Sequence, residues 1–302
     1  MITHYSCQQP TEVTMLKLNQ FNHFNRLSVL NKILDKRHLN KALVLLAMVS
    51  GMISGLGMSL GAQAEEAPEP GFDRPGIGFS TNMVPVGRVA WEQGLPDFSL
   101  SKSKVDGQQV KQSSYQADAL IRIGLTPQLE LQLGWDGPSW SRVSGAGQSQ
   151  HESGYGDSSV ALKALLPLSS QAWSLAVLAA TSLNTGDAAF GDDERTVSLG
   201  STANYAFNDQ YSAALYTNVD RYNGRSGWTI SPSFSAALGA NTSGFVEYGY
   251  QKTKGESQQS VLGGGITWMV HRRVQLDLSA DVGLNAAAPD VQGGFGLSVL
   301  FP

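Results

Sequence analysis

Three sets of residues have types and spacings that could do chemistry. His151 stands two residues from Ser149 and two from Ser153 in "GAGQSQHESGYG", and a Ser–His pair is the minimal unit of an activated oxygen nucleophile. Asp187, Asp192, Asp193 and Glu194 crowd into "GDAAFGDDERT". Hard carboxylates of this kind can hold a divalent cation, or pair with a histidine to activate water. The third set is more regular. Arg88, Glu92, Asp118, Arg122, Glu130, Lys163, Glu247, Asp277 and Asp281 each sit at alternate positions to apolar residues. A ring of such charges sets the selectivity of a pore, or pairs internally and fills it.

The first two sets are weak. His151 and His271 are the only histidines after residue 64, and they fall in connectors on opposite sides of the pattern described below. They cannot serve one site. Serines near His151 are expected in any Ser-rich loop. The acids of 187–194 read first as a solvated loop, and alternatively as contacts to divalent cations bridged at a lipopolysaccharide surface. "GAGQ" and "LGGGIT" lack the helix and lysine of a phosphate loop. The only cysteine is Cys7. The reading is therefore of a non-enzyme with no cofactor and no dedicated metal site.

The charges of the third set need elements to position them. In "LTPQLELQLGW", Leu129, Leu131, Leu133 and Trp135 alternate with Glu130, Gln132 and Gly134, which is a strand with one apolar face and one polar face. The pattern recurs from "RVAWEQG" through "ADALIRIGL", "SVALKALL" and "VQLDLSADVGL" to "FGLSVLF". It predicts about twelve strands of roughly ten residues, the length that crosses a bilayer at a tilt. No helical periodicity interrupts them. Connectors alternate between tight (126–128, 167–172, 207–210, 239–243, 271–273) and long (100–114, 142–156, 184–195, 220–227, 251–259, 285–293). That is the signature of an up-and-down antiparallel barrel with one smooth rim and one looped rim.

Twelve strands enclose a bore too wide for one layer of side chains to fill, unlike an eight-stranded barrel with an apolar interior. The apolar faces must therefore meet lipid and the charges must face the lumen. Aromatic residues near strand ends, among them Trp135, Trp173, Tyr211, Trp228 and Trp268, fit the girdles of such a barrel. The fold class is all-β, a transmembrane barrel over 86–302, preceded by an extended periplasmic lead-in over the Pro- and Gly-rich 65–85.

Residues 1–64 read as a signal peptide. Basic residues precede an apolar run that ends in Ala62-Gln63-Ala64, a small-x-small cleavage pattern. Cleavage there removes six of the 21 Lys and Arg and two of the 25 Asp and Glu, leaving 15 and 23 and a net charge of −8. That charge argues against a nucleic-acid partner.

Short motifs carry a family resemblance. Pro85, Gly87 and Glu92 in "PVGRVAWE", Gly154, Gly156 and Asp157 in "GYGD", and "NTGD" at Asn184–Asp187 resemble motifs of the outer-membrane transporters of the MetA-pathway-of-phenol-degradation family. Asn184 stands where that family usually has proline. The terminal strand also resembles those of outer-membrane barrels, with Phe301 next to last and Pro302 last. The resemblance implies a barrel passing small, often hydrophobic compounds. It also implies lipid, lipopolysaccharide and the barrel-assembly machinery as partners. Two functions follow: a passive channel for small solutes, or a closed structural or binding barrel acting through its extracellular loops.

If the leader is read correctly, the protein purified from outer membranes begins at Glu65. N-terminal sequencing checks this. An intact leader, or recovery in the soluble fraction, contradicts it.

Overall fold

Alternating apolar and polar side chains, with β-branched and aromatic residues on the apolar side, favour extended ribbon over helix. The computed structural model describes residues 71–302, apart from 106 and 146. The expected leader and its cleavage point lie outside the described residues. Fifteen strand segments follow one another: β1 (Val89–Val105), β2 (Gln108–Gln116), β3 (Ala119–Thr126), β4 (Leu129–Trp135), β5 (Pro138–Gly145), β6 (Gln148–Tyr155), β7 (Ser158–Leu166), β8 (Trp173–Ser182), β9 (Val197–Ala206), β10 (Tyr211–Tyr222), β11 (Arg225–Ala237), β12 (Thr242–Thr253), β13 (Gln259–His271), β14 (Val274–Gly283) and β15 (Val291–Phe301). All pair antiparallel within one sheet, and β15 pairs with β1. Closure pairs the barrel strands on both sides, and β6, a polar segment, has β5 as its one strand partner among the described residues.

The segments make twelve barrel strands, as the alternation predicts. The long β1 pairs with β2 along its outer half and with β3 along its inner half. β4 and β5 likewise form one broken strand, and so do β6 and β7. The breaks align across four neighbouring strands, and each carries an aspartate: Asp97, Asp118, Asp136 and Asp157. Backbone bonds bridge the seam, including Gly94 N to Asp118 O and Asp136 N to Asp157 O, both 2.9 Å. The Gln93 amide helps by donating to the Asp118 carbonyl at 2.7 Å.

Apolar side chains point outward. Leu278 is 57% exposed while its neighbour Asp277 is 2% exposed. Leu133, Leu162 and Val246 are exposed, and Glu130, Lys163 and Glu247 are buried. Aromatic clusters mark both rims. Trp173, Tyr205, Phe207, Phe234 and Tyr211 form a contiguous chain of ring contacts at the tight-turn rim. Trp135 stacks on Tyr155, and Trp228 meets Tyr250, toward the other rim. Phe301 pairs with Val89 at the closing seam, and Pro302 follows beyond the last pair, where no N–H donor is needed.

Two expectations about connectors give way. Residues 100–114 and 142–156 are strand for most of their length, turning at Gly107 and Gly147, both in the left-handed region. These hairpins are polar on both faces, so they show no contrast for an alternation test to detect. The connector at 220–227 is a two-residue turn, with φ of 47° at Asn223 and 69° at Gly224, the Asn-Gly signature of a tight hairpin. The described part of 65–85, from Gly71, runs inside the barrel, where it meets Glu92, Arg122 and Glu247.

The sidedness is testable. Leu131→Arg and Leu278→Arg place a cation against lipid near mid-strand, where it costs roughly 2–4 kcal/mol. Ser279→Arg places it in the lumen between Asp277 and Asp281. The first two variants should lose most of the heat-modifiable folded band on gels and the third should keep it. Equal losses would show that the faces are assigned wrongly.

Candidate functional site

Residues 71–84 lie across the inner half of the lumen, and their anchor points on the wall come from the polar faces of strands and, at Asp118, from the break between β2 and β3. Gly71 to Asn82 form a loop that folds back on itself, with Ser80 N donating to Asp73 Oδ1 at 2.9 Å. Proline and glycine keep this stretch from adding a strand of its own. The isolated bridge of Val86 with Gly124 lies just past its end, where the chain enters the wall.

The centre of the site is a set of fully buried charges. Glu92, Arg122, Glu130 and Lys163 are 0% exposed. Arg122 Nη1 lies 2.9 Å from Glu92 Oε1, and its Nε lies 2.8 Å from Glu130 Oε1. Residues 71–84, a plug within the lumen, supply the remaining partners. Lys163 Nζ reaches Asp73 Oδ1 at 2.8 Å and donates to the Asn82 carbonyl at 3.0 Å. Asp73 N and Arg74 N donate to the Glu92 carboxylate, and Val84 N donates to Glu130 Oε2 at 2.9 Å. Gln132 donates to both Asp73 and Glu130.

The segment also reaches the far wall. Ile77 N donates to Glu247 Oε2 at 3.0 Å. Phe79 packs edge-on against Tyr216 with ring centroids 5.6 Å apart, and its carbonyl accepts from Thr202. Thr81 meets Ser174 at 2.8 Å. Toward the outer side, Arg74 pairs with Asp97 at 2.8 Å, Asp118 at 3.3 Å and Asp277 at 3.5 Å.

These pairings set the charge states of the plug. Burial alone would raise the Asp73 carboxyl, but Arg122 and Lys163 hold it below the usual carboxylate range. A depressed carboxylate stabilises docking above its ordinary pKa and loses that contribution only as pH falls through the lower, folded value. Burial opposes the Arg74 cation as well. Asp97, Asp118 and Asp277 more than offset it and raise its pKa.

The outer end has its own closure. The two Gly-Asp motifs seen in the sequence pack on each other. Asp157, 1% exposed, accepts from Gly186 N and Asp192 N, both at 2.7 Å. Asp187 Oδ2 accepts from Tyr155 N at 2.9 Å. Ser139, paired with Gly154, is buried while its neighbour Trp140 is exposed, so Gly154 faces the lumen. A side chain at Gly154 would collide with Phe190 and Asp187. The loop 183–196 thus brings a buried Phe190 over the lumen face of the wall.

Seven of the nine charges assigned to the lumen lie on the polar faces of strands, Asp118 lies at the break between β2 and β3, and Arg88 lies just before β1, so they do not form one ring. Glu92, Arg122, Glu130 and Lys163 gather around Asp73. Asp118 and Asp277 gather around Arg74. Glu247 holds Ile77, Asp281 accepts from Gln292 at 3.0 Å, and Arg88 is half-buried at the base of β1. The four acids of 187–194 divide. Asp187 and the Asp192 backbone anchor the loop, while Asp193 and Glu194 are exposed. Among the described residues, no group of three or more His, Cys, Asp or Glu side chains could hold a metal. Ser149 Oγ does lie 3.3 Å from His151 Nε2, but both are exposed on a hairpin. His271 Nδ1 accepts from Arg273 N on the opposite rim.

Alternation alone could not find Asp73, Arg74, Asp97 or Asp157. The one signal for the first two is their position, a charged pair inside an otherwise Pro- and Gly-rich segment.

A solved outer-membrane channel from Pseudomonas putida F1 of the COG4313 group has the same fold, with a TM-score of 0.58 and 14% identity over 72% of this chain and 97% of that one. Weaker likenesses are to the KdgM porin in complex with disordered oligogalacturonate (TM-score 0.48, 8% identity, 70% and 98% covered) and to the CymD monoaromatic hydrocarbon channel (TM-score 0.39, 10% identity, 71% and 88% covered). No curated protein matches the chain. A family model does match, over residues 72–301, and the chain belongs to that family, described as "Putative MetA-pathway of phenol degradation".

Proposed function

We propose that this protein is a passive outer-membrane channel for small solutes, held shut by residues 71–84. The observation that carries the proposal is the manner of attachment. The plug is bound through side-chain hydrogen bonds and ion pairs to lumen charges and is not built into the sheet. Its withdrawal leaves the wall complete. It also leaves the buried wall charges balanced, since Arg122 and Lys163 remain beside Glu92 and Glu130. The family match begins at residue 72 and so includes the plug. The outer-membrane channel of the same fold supports a channel, and the family's description, which names phenol, supports small solutes as the cargo. Withdrawal of Phe79 uncovers the Tyr216 ring on the wall, an aromatic surface against which a hydrophobic or aromatic solute can pack. Transport, not catalysis, is the role this arrangement suits.

The alternative is a permanently closed barrel acting through its loops. The complete burial of the Arg122 network favours it. Planar-bilayer recording separates the two. The intact protein should conduct rarely or in brief openings. A variant lacking residues 71–84, refolded to the same heat-modifiable state, should conduct continuously and at least about tenfold more often, as expected when a dominant closed state is removed. Silence from the folded deletion variant rejects the channel.

The open lumen should prefer cations. Six acids (Glu92, Asp118, Glu130, Glu247, Asp277, Asp281) face three bases (Arg88, Arg122, Lys163), and the plug's Asp73 and Arg74 add one charge of each sign. A bore with low-dielectric walls focuses this excess. The reversal potential of the deletion variant under a salt gradient should show cation preference at low salt, fading near 1 M, where the screening length is about 3 Å. Anion preference contradicts the assignment.

A further inference from the structure

Arg74 sits in the lumen as a ligand sits in a site. Its guanidinium faces carboxylates from three places on the wall. Nη2 donates to Asp97 Oδ1 at 2.8 Å, and Nη1 donates to Asp97 Oδ2 at 3.1 Å and to Asp118 Oδ1 at 3.3 Å. Nε lies 3.5 Å from Asp277 Oδ1. Missing side chains shape the slot. A Cβ at Gly94 would strike Asp118, one at Gly294 would strike Asp97, and one at Gly296 would strike Asp277 and the Arg74 Nε. The wall supplies the whole cradle and the plug supplies only the cation.

The cradle sets three carboxyl groups against one cation. Both Asp277 oxygens are buried without a hydrogen-bond donor. Asp97 and Asp118 side chains keep 39% and 31% of their exposure, so the cradle opens toward solvent. The inner network differs, because its wall charges balance without the plug.

We propose that the Asp97–Asp118–Asp277 cradle is a binding site for a guanidinium-bearing solute, and that Arg74 is the internal stand-in which that solute displaces. The inference rests on the plugged-channel reading and names a class of solute for it. A guanidinium is favoured because its planar fork presents separate edges, and here each edge meets a different carboxylate or a different oxygen of one. A spherical metal ion needs oxygens converging on one point, and the described acids do not converge. Once a solute fills the cradle, the plug has lost its outer anchor and opening follows by competition.

Agmatine binding to the folded full-length protein, measured by titration calorimetry in detergent, tests the site. In the unmodified protein the cradle is already occupied, so apparent affinity is reduced by the fraction of time it stands vacant. Arg74→Ala should bind agmatine at least about tenfold more tightly, and Arg74→Gln, which keeps more of the side chain, should do likewise. Adding Asp97→Asn to Arg74→Ala should remove at least about tenfold of that affinity, the loss expected for a charged bidentate pair. Butylamine should bind the Arg74→Ala protein more weakly than agmatine. Arg225→Ala, which breaks only an exposed pair with Glu256, should bind as the unmodified protein does. Folded Arg74 variants that gain no affinity, or an Asp97→Asn change without effect, overturn the proposal. Conductance is recorded separately: binding without conductance rejects the channel and keeps the cradle, and conductance without binding does the reverse.

Discussion

The structure depends on what must be done with Arg122, a full positive charge with no exposure inside a membrane barrel. A guanidinium has five N–H donors and cannot give up its proton. All five are used here. Nε and one Nη2 hydrogen go to Glu130, one Nη1 hydrogen goes to Glu92, and the other two go to the carbonyls of Gly71 and Asn82. Three acceptors belong to the wall and two to the plug. Leaving donors of such a group unsatisfied in a dry site costs at least about 1–3 kcal/mol. The plug is therefore part of the electrostatic completion of the closed barrel, and its backbone carbonyls matter as much as its side chains.

Much of the wall was legible in the sequence because a membrane barrel states its sidedness at every second residue. Lys163 and Glu130 stand in register on adjacent strands, and each was placed in the lumen by parity with its leucine neighbours. What parity could not reveal is what fills the bore. Residues 71–84 have no periodicity, and their contacts are made to strands up to about 200 positions away, such as Arg74 with Asp277. The polar hairpins beyond the membrane were hidden for a related reason. Where both faces meet water, alternation carries no signal, and strand cannot be told from loop.

The Gly-Asp motifs show a different limit. Each is short, and in the sequence each suggests only a family. In the fold they are two halves of one joint. Gly154 leaves room for Phe190, Gly156 leaves room for Asp136, and Asp157 gathers the amides of Gly186 and Asp192. β7 and β8 are neighbours, so the loop after β8 returns across the break between β6 and β7. The glycines are needed there for close approach rather than for turning. The substitution of asparagine at position 184 fits the same joint. Asn184 adopts a φ of 46°, which proline cannot, and its side-chain amide donates to the Asp192 carbonyl at 2.7 Å.

The two ends of the plug are bound by different kinds of electrostatics, and this decides how it can leave. At the inner end, withdrawal exposes two bases and two acids that already touch one another, and water can replace the lost carbonyls. The cost there is the loss of hydrogen bonds, most of which solvent returns. At the outer end, withdrawal removes Arg74, the cation that pairs with Asp97, Asp118 and Asp277 among the described residues. Three carboxyl groups then face one another without that counter-charge, and like charges at such close range disfavour the vacant state. Opening from the outer end is thus linked to cation supply in a way that opening from the inner end is not. A free cation at the cradle favours withdrawal by the difference in its affinity for the vacant and the occupied states, and by no more than that.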